Sequence, residues 1–219
     1  MTSTFRASAG VIVAIAFALG ITALAQQAPQ PQPSTPAILL EPSKLSGPGP
    51  DMYKVIVETS VGTFVIQVHR AWAPHGADRF YNLVKSGYYD GNRFFRVVKK
   101  FVAQFGIHGD PAVNAAWNKL FLPVDRARLS NTRGRLTFAQ GTPDTRTTQV
   151  FINFGDNSKL DIDGFAPFGE IVTSMLLVER IYAEYGETPD QGLIQAAGNP
   201  YLLQVFPRLS FIRKATIEE

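Results

Sequence analysis

The chain has no cysteine in its 219 residues. That excludes disulfides, thiol nucleophiles, cysteine-ligated zinc and a bacterial lipoprotein anchor, and leaves the redox compartment open. Histidine is scarce as well. His69, His75 and His108 are the only three, and none stands in a spacing such as H-E-x-x-H. A zinc hydrolase is therefore not expected, and neither is any metal or other cofactor. Charged residues make up only 18% of the chain, and no Lys/Arg-rich run accompanies the net charge of +3. Nucleic acid is not an expected partner. What is abundant is apolar: 45% of residues, enough for a substantial core in one large domain or two small ones.

The amino terminus reads as an export signal. Arg6 precedes the uncharged run "ASAGVIVAIAFALGITALA", which ends in Ala23-Leu24-Ala25. A positive start, an apolar stretch and an A-x-A site together predict cleavage before Gln26, so residues 1–25 form a signal peptide. The competing reading is an uncleaved membrane anchor, since the run approaches bilayer-spanning length. Export follows from either. Residues 26–50 hold seven prolines between Pro29 and Pro50 and read as a disordered Pro/Gln-rich linker. The folded domain is expected over 51–219.

From Met52 the pattern is β-rich. "YKVIVET" and "TFVIQVH" alternate with period two and are separated by a turn, which reads as a hairpin. Ala77, Phe80, Tyr81 and Val84 recur at helical spacing, with Gly87 as a stop. Residues 93–98, 101–106, 135–140 and 148–154 read as strands, as do "FAPFGEIV" and the closing "RLSFIRKATI". The stretch from Asp110 to Asn131 is irregular, with room for one short helix. "SMLLVERIYAEYG" reads as a second helix, with Val178, Ile181, Tyr182 and Tyr185 on one stripe and Gly186 as its stop. The expectation is a mainly β fold: a closed eight-stranded antiparallel barrel capped by two α-helices.

One residue stands out against this background. Arg96 lies within "RFFRVVKKFVAQFG", among aromatic and β-branched neighbours. Alone, it has the ordinary reading of an exposed strand arginine whose stem covers apolar surface. Its setting says more. "FFRVVKKFVAQFG", "LTFAQ" followed by "TQVFIN", and "FAPFGEIV", in this order, resemble the cyclophilins, the cyclophilin-type peptidyl-prolyl cis-trans isomerases. The resemblance runs over residues 53 to 217, and the tail "DQGLIQAAGNPYLLQVFPRLSFIRKATI" is similar to the ending of many bacterial members.

The resemblance implies that Arg96 is the catalytic arginine, with Gln104 beside it. It implies that Phe101 and Val102 line a proline-binding site, that Ala139 and Gln140 form the rim meeting the substrate backbone, and that Gln149 and Phe151 complete floor and wall. Leu160 and Phe165 stand where well-studied eukaryotic members carry a tryptophan and a histidine. Phe95 replaces the histidine often found before the arginine, and "QFG" replaces Q-G-G. The implied partners are unfolded or proline-containing polypeptides, with weak binding of cyclosporin-type ligands, and the implied state is a monomer. Two other readings compete: a non-catalytic proline-segment binding module or chaperone on the same barrel, and a lipocalin-like carrier with an open lumen. Phe151 shares strand parity with Gln149, whereas Phe101 and Gln104 do not, so a bulge or bend must separate the latter two.

The signal reading has a direct check. Intact-mass analysis of protein recovered from the cell envelope should show a chain lacking residues 1–25. Full-length mass in the membrane fraction would establish an uncleaved anchor instead.

Overall fold

Alternation builds the first two strands, β1 (Met52–Thr59) and β2 (Gly62–His69), which pair as the expected hairpin from Met52↔His69 to Thr59↔Gly62. Tyr53, Val55 and Val57 of β1 turn to the core together with Phe64, Ile66 and Val68 of β2, while Lys54 and Glu58 stay in solvent. The computed structural model describes residues 35–218, with Met1 besides. The signal segment and its cleavage point before Gln26 lie outside the described residues.

Six further strands complete one antiparallel sheet: β3 (Arg96–Val98), β4 (Val102–Phe105), β5 (Arg135–Phe138), β6 (Val150–Asn153), β7 (Pro167–Ile171) and β8 (Ile212–Glu218). Their spatial order is β3-β4-β6-β5-β7-β2-β1-β8. The strand count matches the expectation, but the continuous closure does not. β3 and β8 are the two ends of the order, and between the segments beside them runs only an isolated bridge, Arg93↔Phe211. Hydrogen bonds from Phe94 N to Ser210 O (3.0 Å) and from Ile212 N to Asn92 O (2.8 Å) flank that bridge. The strands have too few residues in phase there to form a ladder, so the sheet is a curled half-barrel.

The concave side is filled. Phe64, Phe80, Phe94, Phe105, Phe138 and Phe168 are buried in one cluster with Tyr88, Tyr89 and Trp117. Helix α1 (Pro74–Lys85) packs Ala77, Phe80, Leu83 and Val84 into it, and Phe80 meets Phe168 at 5.1 Å between ring centroids. This dense aromatic packing leaves no open lumen, which removes the carrier reading.

The long segment from Asp110 to Asn131 contains the expected short helix, α2 (Pro111–Trp117). Its irregular remainder is held by a buried carboxylate. Asp125 accepts from the N–H groups of His75 (3.0 Å) and Gly76 (2.9 Å), capping α1 from a distant part of the chain, and faces Arg146 at 3.4 Å.

The other helices depart from expectation. Residues 174–186 contain only one helical turn, α3 (Met175–Val178), and the remainder is turns in which Ser210 Oγ accepts from Tyr182 N. The second long helix is α4 (Gln191–Val205). Its sequence carries Gly192, Gly198 and Pro200, which argue locally against a helix. The structure accommodates them with a kink at Gly198 (φ 63°, ψ −150°), where a Cβ would lie 2.0 Å from Gly109 O. Asp190 caps the start by accepting from Leu193 N at 2.8 Å. Ile194 and Leu202 of α4, with Phe206 at its C-terminal cap, form a second small core with Phe95, Ile107 and Leu209.

The linker expectation fails over residues 35–50. The compact unit starts at Thr35 rather than at 51. Leu39 is fully buried in the main core, Trp117 Nε1 donates to Leu39 O at 2.8 Å, and Gly49 N donates to Asp78 Oδ1 at 2.9 Å. The apolar "AILL" between prolines is what docks. Leu39→Ala should therefore destabilise the domain by about 2–5 kcal/mol, the usual cost of truncating a buried leucine. The check is the chemical denaturation midpoint; an unchanged midpoint would mean that the arm is not part of the fold.

Candidate active site

Register decides where the chemistry sits. In β3, β4, β6 and β5 the residues Val97, Ala103, Ile152 and Leu136 pair successively across the sheet and fill the core. The adjacent row, Arg96, Gln104, Phe151 and Thr137, pairs in the same way and by alternation points to the opposite, outer face. An arginine and a glutamine can be built into this aromatic stretch because their row faces away from the main core.

Phe101 joins them through a turn. Val98 pairs with Val102, and Lys100 adopts a left-handed conformation (φ 64°) between them. The parity break expected between Phe101 and Gln104 is this turn, not a bulge within a strand. Phe101 O accepts from Phe154 N (2.7 Å) and Asn157 Nδ2 (2.9 Å), which holds the ring's backbone in place. The ring centroid lies 5.5 Å from Arg96 Cζ.

The polar groups form a directed chain. Arg96 Nη1 donates to Gln104 Oε1 (3.3 Å), and Gln104 Nε2 donates to Gln149 Oε1 (2.8 Å). A guanidinium can only donate, so the Gln104 amide must turn its oxygen to Arg96 and its nitrogen to Gln149. On its other edge Arg96 donates through Nε to Glu187 Oε1 (2.6 Å), and Nη2 lies 2.5 Å from the same oxygen in an ion pair. Each terminal nitrogen keeps a further hydrogen beyond these bonds.

Around this chain lies a cleft of about 610 Å³. Arg96, Phe101, Val102, Gln104, Ala139, Gln140, Gln149, Phe151, Leu160 and Phe165 all line it, so the structure brings together every site residue expected from the sequence. Phe151 and Phe165 meet edge-to-face at 5.7 Å and 66°. Ala139 N donates to Gln149 O (2.8 Å), and Gln140 Nε2 donates to Asp163 O (2.9 Å), tying the rim to the loop that carries Leu160 and Phe165.

That loop hangs on one carboxylate. Asp161 accepts from Ser130 Oγ and from the backbone N–H (2.9 Å) and Nδ2 (2.7 Å) of Asn131, while Asn131 Nδ2 also reaches Phe165 O (2.8 Å). Desolvation pushes the Asp161 carboxyl up, but the hydrogen bonds from Ser130 and Asn131 outweigh it and hold the group below its ordinary value.

The departures in the strand motif also find causes. Phe95 is buried in the second core beneath α4, a setting that suits a ring without polar atoms. Phe105 fills the main core against Phe94 and Tyr89, and Gly106 (φ 108°) is required because a Cβ there would lie 2.5 Å from Thr148 O.

Sequence reasoning missed part of the wall. Asn118 and Phe121 come from the segment after α2, Thr145 and Thr147 from the loop before β6, and Gln191 and Gln195 from α4. The last two are spaced i, i+4 and share a helix face, a signal hidden by the unrecognised helix. Glu187 had no motif to announce it.

Residues 54–196 match the family model for "Cyclophilin type peptidyl-prolyl cis-trans isomerase/CLD". The chain is 33% identical over 135 residues to a peptidyl-prolyl cis-trans isomerase of Acinetobacter baylyi, covering 58% of this chain and 70% of the relative. It is 32% identical over 132 residues to peptidyl-prolyl cis-trans isomerase A of Dickeya dadantii, with the same coverages of 58% and 70%. Among solved structures it resembles a cyclophilin type peptidyl-prolyl cis-trans isomerase of Cryptosporidium parvum, with TM-score 0.58, 19% identity, and 77% of this chain and 98% of that one covered. A second crystal structure of the same protein, in the presence of the dipeptide Ala-Pro, gives TM-score 0.56 at 20% identity, covering 76% and 99%. At those identities the structural likeness is one of fold.

Asp161 supplies the test of this geometry. With a folded value below its unfolded one, Asp161 contributes anchorage that is present above the ordinary carboxylate pKa of about 3.9 and lost as pH falls through the folded value. Asp161→Ala should remove that anchorage at neutral pH, easing local opening by about 1.5–3 kcal/mol. Faster amide exchange at Phe165 and a raised KM for a proline peptide are the expected readouts; exchange at the wild-type rate would contradict the assignment.

Proposed function

The chain belongs to the cyclophilin-type peptidyl-prolyl cis-trans isomerases, and we propose that it is an exported member that turns X–Pro bonds of unfolded polypeptides in the cell envelope, with Arg96 as its catalytic residue. The observation that carries this reading is the pinned guanidinium beside an apolar pocket: Arg96 is held by Gln104 within a cleft walled by Phe101, Val102, Phe151 and Phe165.

The chemistry asks for little else. Rotation about a peptide bond faces a barrier of roughly 18–20 kcal/mol because the C–N bond has partial double-bond character. At X–Pro both isomers occur, and exchange takes roughly tens to hundreds of seconds. No bond is made or broken, so no nucleophile or acid–base pair is needed. The enzyme must bind the twisted imide better than either planar form. On twisting, the imide nitrogen regains a lone pair, and a donor from Arg96 stabilises it there. Arg is always charged and rigid at its head, which suits a donor that must be aimed and never consumed. Every 1.4 kcal/mol or so of selective stabilisation gives about tenfold in rate.

The remaining residues grip and align. Phe101, Val102, Phe151, Leu160 and Phe165 bury the pyrrolidine ring and exclude water. Ala139 and Gln140 offer the rim to the substrate backbone. Gln149 orients Gln104, which orients Arg96 in turn. A non-catalytic holdase would need the apolar walls but not this directed chain of amides. Leu160 and Phe165 cannot donate a hydrogen bond, so cyclosporin-type macrocycles that seek a donor bind weakly here.

Turnover of an X–Pro peptide in a protease-coupled assay tests the proposal. Wild type should accelerate isomerisation. Arg96→Ala should lose at least about tenfold, the effect of roughly 1.4 kcal/mol, while remaining folded. Arg96→Lys should not restore the rate, because an ammonium is a flexible point charge. Near-wild-type turnover by Arg96→Ala at unchanged stability would refute the role of Arg96. In the same assay cyclosporin should inhibit Leu160→Trp more strongly than the unmodified protein, and tight inhibition of the latter would contradict the loop reading.

A further inference from the structure

We propose that Glu187 is a positioning residue for Arg96, gripping the guanidinium edge opposite Gln104 so that the catalytic donors stay aimed into the cleft. The inference rests on the reading of Arg96 given above. Its basis is geometry that the strand motif does not contain. One carboxylate oxygen, Glu187 Oε1, accepts from Nε–H of Arg96 and forms an ion pair with Nη2, while Gln104 accepts from Nη1 on the other side. A planar group held at both ends cannot rotate freely about its stem, and the unspent hydrogens on Nη1 and Nη2 are the ones left for a substrate.

The chain delivers Glu187 deliberately. β3 ends the strand order, so its outer edge lacks a partner strand. Residues 184–187 cover that edge: Val97 N donates to Gly186 O (3.0 Å), and Lys99 Nζ pairs with Glu184 (2.6 Å). Gly186 turns in the left-handed region (φ 54°) to bring the next side chain over Arg96. Glu187 itself is 61% exposed, and an ion pair so open to water adds little to stability. Its effect therefore lies in the aim of Arg96, not in holding the fold.

The test is steady-state turnover of the full chain with Glu187→Ala, Glu187→Gln and, in parallel, Arg96→Ala. Glu187→Ala should lower kcat about tenfold, as misplacement of a catalytic group does, with KM and the melting midpoint little changed. Glu187→Gln still offers a carbonyl oxygen to the same edge and should recover more than about half of kcat. The Arg96 Nε–H resonance should exchange with water faster in Glu187→Ala. Equal or higher turnover in Glu187→Ala would overturn the proposal, the latter because the carboxylate would then be a competitor for Arg96. A fall in activity matched by a fall in melting midpoint would overturn it too. Loss of turnover in Arg96→Ala with none in Glu187→Ala removes only the role of Glu187, whereas full activity of Arg96→Ala removes the reading of Arg96 itself.

Discussion

The antiparallel register of β3, β4 and β6 is the constraint from which the site follows. Once Val97, Ala103 and Ile152 are committed to the core, Arg96, Gln104 and Phe151 must share the other face. A slip of one residue would bury the guanidinium among phenylalanines and expose valine and isoleucine. Core packing thus determines the placement of Arg96, although Val97, Ala103 and Ile152 do not themselves line the cleft. The β3–β4 turn then swings Phe101 around to the same face, which no straight strand can do.

An isomerase built this way can dispense with reactive groups. On the reading proposed for Arg96, its task is to hold one permanent cation at one angle above a dry pocket, and the bonds around the cleft would serve that end. Gln149 orients Gln104, Gln104 orients Arg96, and Asp161 with Asn131 holds the wall that faces them. The pieces come from distant parts of the chain. The buried Asp125, which ties the long middle segment to α1, keeps the stretch between α2 and β5 in place.

Much of this was legible in the sequence because it rests on local pattern. Period-two alternation marked the β1–β2 hairpin and helical spacing marked α1, whereas Arg96 and the cleft residues that surround it were marked by the resemblance to the cyclophilins rather than by local pattern. What escaped depended on tertiary context. Helix α4 contains Gly198 and Pro200, and it forms because a kink at Gly198 meets the backbone of Gly109 and because Ile194 and Leu202 gain a core with Phe95. Leu39 was hidden among prolines, whose spacing suggests a linker until a buried site for "AILL" exists. The helix expected over 174–186 had the right apolar stripe, yet its later residues are spent on Ser210 and on covering the edge of β3. Ring closure failed for a similar reason, since only Arg93 and Phe211 come into register.

The central claim is that Arg96 acts on the twisted imide rather than on the bound peptide. An NMR titration of a labelled X–Pro peptide reads affinity and cis–trans exchange from the same samples. With Arg96→Ala the account predicts affinity within about threefold of wild type, because the apolar walls remain, and exchange slowed toward the uncatalysed rate of tens to hundreds of seconds. Affinity that collapses in parallel with exchange, or exchange that persists without the guanidinium, would contradict it.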